Sequence, residues 1–225
     1  IAAPRGHGKS TAITHAYTLS AMLFRHKRFG VLVSDTETQA VNFLNDIKAE
    51  LRDNEDLIEL FGVKGFKKDT ETDIIVELND GYTFRLMVRG AEQRVRGLKW
   101  NQIRPDLIVC DDLEGDEQVL NKDRREKFRR WFYGALLPCM SRTGICRVVG
   151  TVLHLDSLLN RLMPEDSDKR TVIEPLKSYS LNKKATWTSV RYRAHDDSFS
   201  NILWATRWPK DALHKERQKY VDQGI

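Results

Sequence analysis

The sequence predicts an α/β fold, a mainly parallel central sheet flanked by helices, and three features carry that expectation. Short apolar runs alternate with amphipathic stretches of helical spacing through the first half of the chain, the order from which parallel sheets are built. A glycine-flanked Lys9-Ser10 pair stands just ahead of the first helical stretch. A later apolar run ends in the twin carboxylates Asp111 and Asp112. With 225 residues and 40% hydrophobic content the chain can bury a core for one domain or one and a half.

The stretch from Ala2 to Thr11 reads as a phosphate-binding loop. In G-x-x-x-x-G-K-[ST], backbone N–H groups wrap the phosphates, the Lys reaches the β- and γ-oxygens, and the hydroxyl holds Mg²⁺. Gly8, Lys9 and Ser10 fit, while Ala3 stands where the first Gly belongs. Gly6 keeps the loop pliable and Pro4 fixes one φ on the way in. The following apolar stretch, Ala12 to Phe24, aims a helix N-terminus at the same anion. A Gly-Lys-Ser triplet alone also fits a surface turn, so a second half-site is required. Only Ile1, Ala2 and Ala3 precede Pro4, so the chain is expected to start inside its first strand, as part of a longer protein.

Phe29 to Asp35 is a buried strand by composition, and Thr36 to Leu51 is a helix with Ala40, Phe43, Leu44, Ile47 and Leu51 on one face. Asp53 to Lys68 is polar and broken by Gly62 and Gly65, and is expected to be irregular. Asp73–Leu78 and Tyr82–Val88, joined by Asn79-Asp80-Gly81, form a predicted hairpin at an edge of the sheet. A basic, glycine-broken loop from Arg89 to Lys99 precedes the strand Pro105 to Asp112. That strand has the Walker B pattern, in which Asp111 holds Mg²⁺ through water and the next carboxylate orients the attacking water. The other reading of Asp111-Asp112 is a helix N-cap pair. A long helix is expected from Glu117 to Leu137, with Phe128, Trp131, Phe132, Leu136 and Leu137 marking its buried side. The strand Ile145–Thr151 ends in a small residue and a hydroxyl. In P-loop motors of the additional-strand (ASCE, RecA-like) type such a strand sits between those that carry the phosphate loop and the Asp pair, and its terminal polar residue can sense the γ-phosphate. Beyond it, a short helix at Asp156–Met163, strands at Arg170–Pro175 and Thr186–Tyr192, and a helix at Lys210–Val221 are predicted.

Composition sets limits. No apolar run approaches the roughly 20 residues a membrane span needs. Cys110, Cys139 and Cys146 have neither zinc nor disulfide-frame spacing and are expected to be reduced thiols in a cytosol. A formal charge of +5 permits a polyanionic partner without requiring one.

Ala-Pro-Arg-Gly-x-Gly-Lys-Ser, the Arg-Gly loop, the Asp-Asp pair, Gly150-Thr151 and the closing Trp-Pro-x-x-x-Leu-x-x-x-Arg together resemble the ATPase half of a large terminase, the DNA-packaging motor of tailed bacteriophages. The resemblance spans Ala3 to Arg217. It implies a P-loop ATPase core over residues 1–155 and a small C-terminal lid with a linker over 156–225. It implies ATP and Mg²⁺ as cofactors, with Arg5, Gly6, His7, Gly8, Lys9, Ser10, Thr11 and Thr151 on the nucleotide, and Ser10 and Asp111 on the metal. Arg5 would respond to the γ-phosphate, and Arg96 would act as an arginine finger toward a neighbouring subunit. Many members have Glu directly after the Walker B Asp. Here it is Asp112, so either Asp112 or Glu114 is the catalytic carboxylate, with Asp112 preferred.

The implied partners are double-stranded DNA, a homo-oligomeric ring at the capsid portal, the portal protein and the small terminase subunit, in the host cytoplasm and transiently on the procapsid, with no membrane. The chain ends about where the family's nuclease domain begins, so no DNA cleavage is expected of it. DNA contacts are sought among the basic residues of Arg124 to Arg130 and of the hairpin. A helicase-like motor, a P-loop small-molecule kinase and a non-hydrolysing scaffold are the alternatives.

Overall fold

The computed structural model describes residues 1–163 and 187–222. Helix α1 is wide-turned (π) over Ser10–Tyr17 and α-helical over Thr18–Leu23. It starts ahead of the predicted Ala12 because Lys9 already has helical angles, φ −57° and ψ −46°. Strand β1 (Phe29–Ser34) is buried along its whole length. Helix α2 (Glu37–Asp53) is capped by the Thr36 hydroxyl, which accepts the Gln39 N–H at 3.2 Å.

The stretch expected to be irregular is ordered. It holds α3 (Glu55–Phe61) and β2 (Val63–Thr70). Asn54 caps α3 by accepting the Leu57 N–H at 3.1 Å, and Gly62 closes it at φ 64°. The hairpin forms as β3 (Asp73–Leu78) and β4 (Thr83–Gly90), but it is not the edge of the sheet. Strand β4 pairs in parallel with β1, and β2 covers β3 as the outermost strand on that side.

On the other side of β1 lie β5 (Leu107–Asp111) and then β6 (Ile145–Val149), both in parallel register. The single long helix expected between them is broken. Helix α4 (Asp116–Leu120) stops at Asn121, whose extended backbone and side-chain acceptance of the Arg124 N–H at 3.1 Å start α5 (Lys122–Trp131) afresh. A π-turn over Phe132–Leu136 then leads into α6 (Leu137–Cys139). Helix α7 is confined to Leu158–Arg161 by the Ser157 cap, shorter than expected, and α8 covers Lys210–Asp222. The predicted strand at 170–175, and residue 186 of the next, lie outside the described residues.

The sheet order is β2-β3-β4-β1-β5-β6, with three of its five pairings parallel. Ala2 extends it past β6: it bridges in parallel to Gly150 on one side and to Arg191 on the other. The inserted strand β6 therefore lies between the segment that leads into the loop and the strand that carries the aspartates. Apolar cores fill both faces. Leu32, Leu86 and Val109 pack under α1 and α2, while Val31, Ile108 and Cys110 pack under Phe128, Phe132 and Leu136.

Where β4 meets the start of α2 the backbones are close: a Cβ on Gly90 would lie 2.8 Å from the Glu37 nitrogen. Backbone cannot swing aside as a flexible side chain can. Gly90→Ala is therefore expected to lower the unfolding free energy by about 1–3 kcal/mol in urea titrations. Gly134→Ala, where nothing lies within 4 Å, should leave stability unchanged or raise it by up to about 1 kcal/mol.

Candidate functional site

Gly6 (φ 73°) and Gly8 (φ 68°) both take the left-handed conformation that curls the loop back onto α1. The N-terminus that follows is the kind of backbone that receives anions. Lys9 is nearly enclosed, and its Nζ lies 3.2 Å from Asp112 Oδ2. Asp112 Oδ1 accepts the Thr151 N–H at 3.1 Å, and the Thr151 hydroxyl donates to the Ala3 carbonyl at 3.3 Å. The loop, the end of β5 and the end of β6 thus meet in one place.

Asp112 sits at φ 42°, a region in which Asp and Asn are enriched over other side chains apart from Gly. That backbone gives a physical reason for an aspartate at this position.

Asp111 is fully buried. Its Oδ2 accepts the Thr14 hydroxyl at 2.5 Å, and the Ser10 side chain helps hold the carboxyl's pKa down. Oδ1 is buried with no hydrogen-bond partner. Burial raises the carboxyl pKa above the usual 3.8, the Thr14 and Ser10 hydrogen bonds oppose that, Asp112 adds to it, and Lys9 pulls the other way. A carboxylate oxygen left unsatisfied beside a serine hydroxyl is a hard-oxygen donor set, and it fits Mg²⁺.

The other sequence-predicted residues divide. Glu114 faces the chain beyond β6: its Oε2 accepts the Leu158 N–H at 2.7 Å and the Leu159 N–H at 3.4 Å, at the start of α7. Burial raises its pKa, against those backbone bonds. It still lines, with Arg5, Asp112 and Thr151, a cleft on one flank of the loop. Arg5 is exposed and pairs with Asp116 at 3.1 Å. The His7 ring stacks on Trp208 at 5.8 Å, and Thr11 is exposed, so Ser10 is the hydroxyl directed at Asp111. Arg96 stands apart from this cluster, donating to the Gly134 carbonyl at 3.2 Å.

Sequence reasoning missed three residues. Thr14 lies one turn after Ser10 on the same helix face, a spacing that could have pointed to it. Trp204 and Trp208 reach the loop from almost the far end of the chain, and no local pattern signals that contact.

No protein-family model and no curated protein matches the chain. Among solved structures it is similar to the large terminase ATPase domain of Thermus phage P74-26, 16% identical with a TM-score of 0.52, over 97% of this chain and 78% of that one. An arginine-to-alanine mutant of the same domain gives 17% identity and a TM-score of 0.55, over 96% and 80%. The likeness establishes the fold: a mixed sheet flanked by helices, in the arrangement of that ATPase domain.

The raised pKa of Asp111 has a thermodynamic sign. Folding disfavours its charged form, so the native state carries a destabilising charge that develops as pH rises from 3.8 through the higher native value. Asp111→Asn is expected to melt no lower than wild type at pH 7 without nucleotide or metal, and the difference should vanish below the ordinary carboxylate range. Thermal melts at pH 7 and pH 3.5 check this; a variant less stable at pH 7 would mean that the ionised group stabilises the fold.

Proposed function

We propose that the chain is an ATPase motor domain of the large terminase type, hydrolysing ATP to drive double-stranded DNA into a viral procapsid. The observation that carries this reading is the 3.2 Å approach of Lys9 to Asp112 across the inserted strand, which joins the two halves of a nucleotide site. The fold shared with a phage packaging ATPase domain supports it.

In this reading the triphosphate lies along residues 6–11. Lys9 leaves Asp112 for the β- and γ-oxygens, and Asp112, released from its ion pair, orients the attacking water. Ser10 and Asp111 would hold Mg²⁺, which when bound offsets charge on the phosphate oxygens. Arg5 and Thr151 respond to the γ-phosphate in this reading; Arg5 lining the cleft and the Thr151 N–H bonded to Asp112 support it. Arg96 serves a neighbouring subunit in a ring at the capsid portal, which fits its position away from its own loop. The core comprises residues 1–155, with a lid from 156 onward.

Contact with DNA is through phosphates, since packaging cannot depend on sequence. Arg125 and Arg129 are committed to Asp156, and Lys127 to Glu92. Arg124 and Arg130, exposed on α5, are the better candidates there. No helix among the described residues is long and apolar enough to cross a membrane.

Two substitutions test the reading by ATP titration and DNA-stimulated phosphate release. Lys9→Ala should lose both nucleotide binding and turnover. Arg96→Ala should keep binding and lose turnover by about 10³- to 10⁵-fold in the assembled ring. Arg96→Ala that loses binding but keeps turnover per bound ATP would remove it from the trans role.

A further inference from the structure

The phosphate loop has two unlike flanks. On one lies the polar cleft lined by Arg5, Asp35, Asp112 and Asp116. On the other is a mainly apolar pocket of about 300 Å³, walled by Ala12 and Ile13 of α1 and by Tyr192, Leu203 and Trp204 from the C-terminal part of the chain. That volume is at the lower end of the roughly 300–1,000 Å³ of small-molecule sites. Gly8 and Lys9 line this pocket as well, so it is continuous with the phosphate loop.

The outer wall is fixed to the loop itself. The Trp208 indole N–H donates to the Gly6 carbonyl at 3.1 Å, and its ring stacks on His7 with only 10° between planes. The Trp208 backbone N–H closes a turn on the Trp204 carbonyl at 2.8 Å, which sets the two indoles on the same side of that turn. A Cβ on Gly8 would touch the Trp204 ring at 3.5 Å. Trp204 nevertheless remains 42% exposed, so an aromatic face next to an anion cradle is open to solvent.

We propose that this pocket receives the planar base of the nucleoside triphosphate, with the Trp204 indole as its stacking surface; the inference rests on the phosphate-loop reading above. A ligand anchored at Lys9 has two directions in which to extend. The acidic flank repels further negative charge unless a cation is present, and Leu153 is the only large apolar side chain among the described residues that line it. The aromatic flank suits a flat, weakly polar ring, and Lys9 is the one Lys or Arg among the described residues that line it. A nucleotide bound with its γ-phosphate toward Asp112 and its base toward Trp204 satisfies both flanks. Base recognition then comes from a segment almost 200 positions beyond the loop, and a change in that segment changes nucleotide affinity directly.

The test separates base from phosphate. Calorimetry with ATP and with inorganic tripolyphosphate, each with Mg²⁺, is run on wild type, Trp204→Ala, Trp204→Phe and Lys9→Ala, with circular dichroism melts confirming folding. Trp204→Ala is expected to weaken ATP about tenfold or more, as loss of base–aromatic stacking does, and to leave tripolyphosphate affinity unchanged. Trp204→Phe should recover most of the ATP affinity. Equal loss for both ligands would make Trp204 a structural prop of the loop, and no loss for either would place the base elsewhere; each result overturns the proposal. Unchanged ATP affinity in Lys9→Ala is a different outcome: it removes the phosphate-loop reading, and the base pocket with it.

Discussion

The insertion of β6 between the loop segment and β5 is the constraint on which the site depends. Neighbouring strands lie about 4.8 Å apart, so two strands separated by a third end roughly 10 Å from one another. A lysine from the loop spans that gap to a carboxylate at the end of β5 only if little stands between them. Gly150 satisfies that condition, since a Cβ there would already lie 3.1 Å from Asp112 Oδ1. Thr151 then fastens both sides, giving its N–H to Asp112 and its hydroxyl to Ala3. The small-then-hydroxyl ending of β6 is a spacer stitched to its two neighbours.

The two aspartates are adjacent in sequence but chemically separate. Side chains alternate along a strand, and the left-handed turn at Asp112 redirects the second one further. Asp111 goes inward to the hydroxyls of α1, where burial opposes its charge. Asp112 goes to Lys9 and stays partly open to solvent. One carboxylate is thus held dry, with one oxygen unpartnered, while its neighbour is held in an ion pair with Lys9. The desolvation of Asp111 is a cost to the empty fold that a bound cation would relieve.

The sequence made the interior of this protein legible and its rim much less so. Strands β1, β5 and β6 carry near-continuous apolar runs because both faces of the sheet are covered, and the Asp-Gly turn marked the hairpin. Strand β2 was invisible because at the edge only Val63 is buried, and a strand with so little to bury carries no period. Helix α3 buries no residue fully; its only signals were the caps Asn54 and Gly62. The break at Asn121 was masked by helical spacing on both sides, although Asn followed by Asp123 in the first turn is a helix start. At the site, Lys9, Ser10, Asp111, Asp112 and Thr151 could be found because each ends or begins an element. The Trp208–Gly6 hydrogen bond joins residues 202 positions apart, and no period or local motif encodes such a contact.

Where the chain leaves β6 bears on how a nucleotide signal could travel. The carboxylate two positions after Asp112, Glu114, holds the first N–H groups of α7. One residue before the Ser157 cap, Asp156 is gripped by Arg161, Arg125 and Arg129, which hold its pKa at about 2, the Arg161 hydrogen bond being the largest cause. Leu158 and Leu159 are buried under the sheet, each worth roughly 1.5–3 kcal/mol relative to exposure. Rotation of α7 away from the sheet would break all of these at once, so α7, which stands at the start of the proposed lid, is tied to the core. If Asp112 shifts on losing Lys9, as the proposed reading has it, the Glu114 bonds to α7 are the route by which that shift would reach the helix. The chain meets the loop again at Trp204 and Trp208, so the segments after β6 touch the glycine loop and its carboxylates twice, through Glu114 at α7 and through the indoles on Gly6 and Gly8.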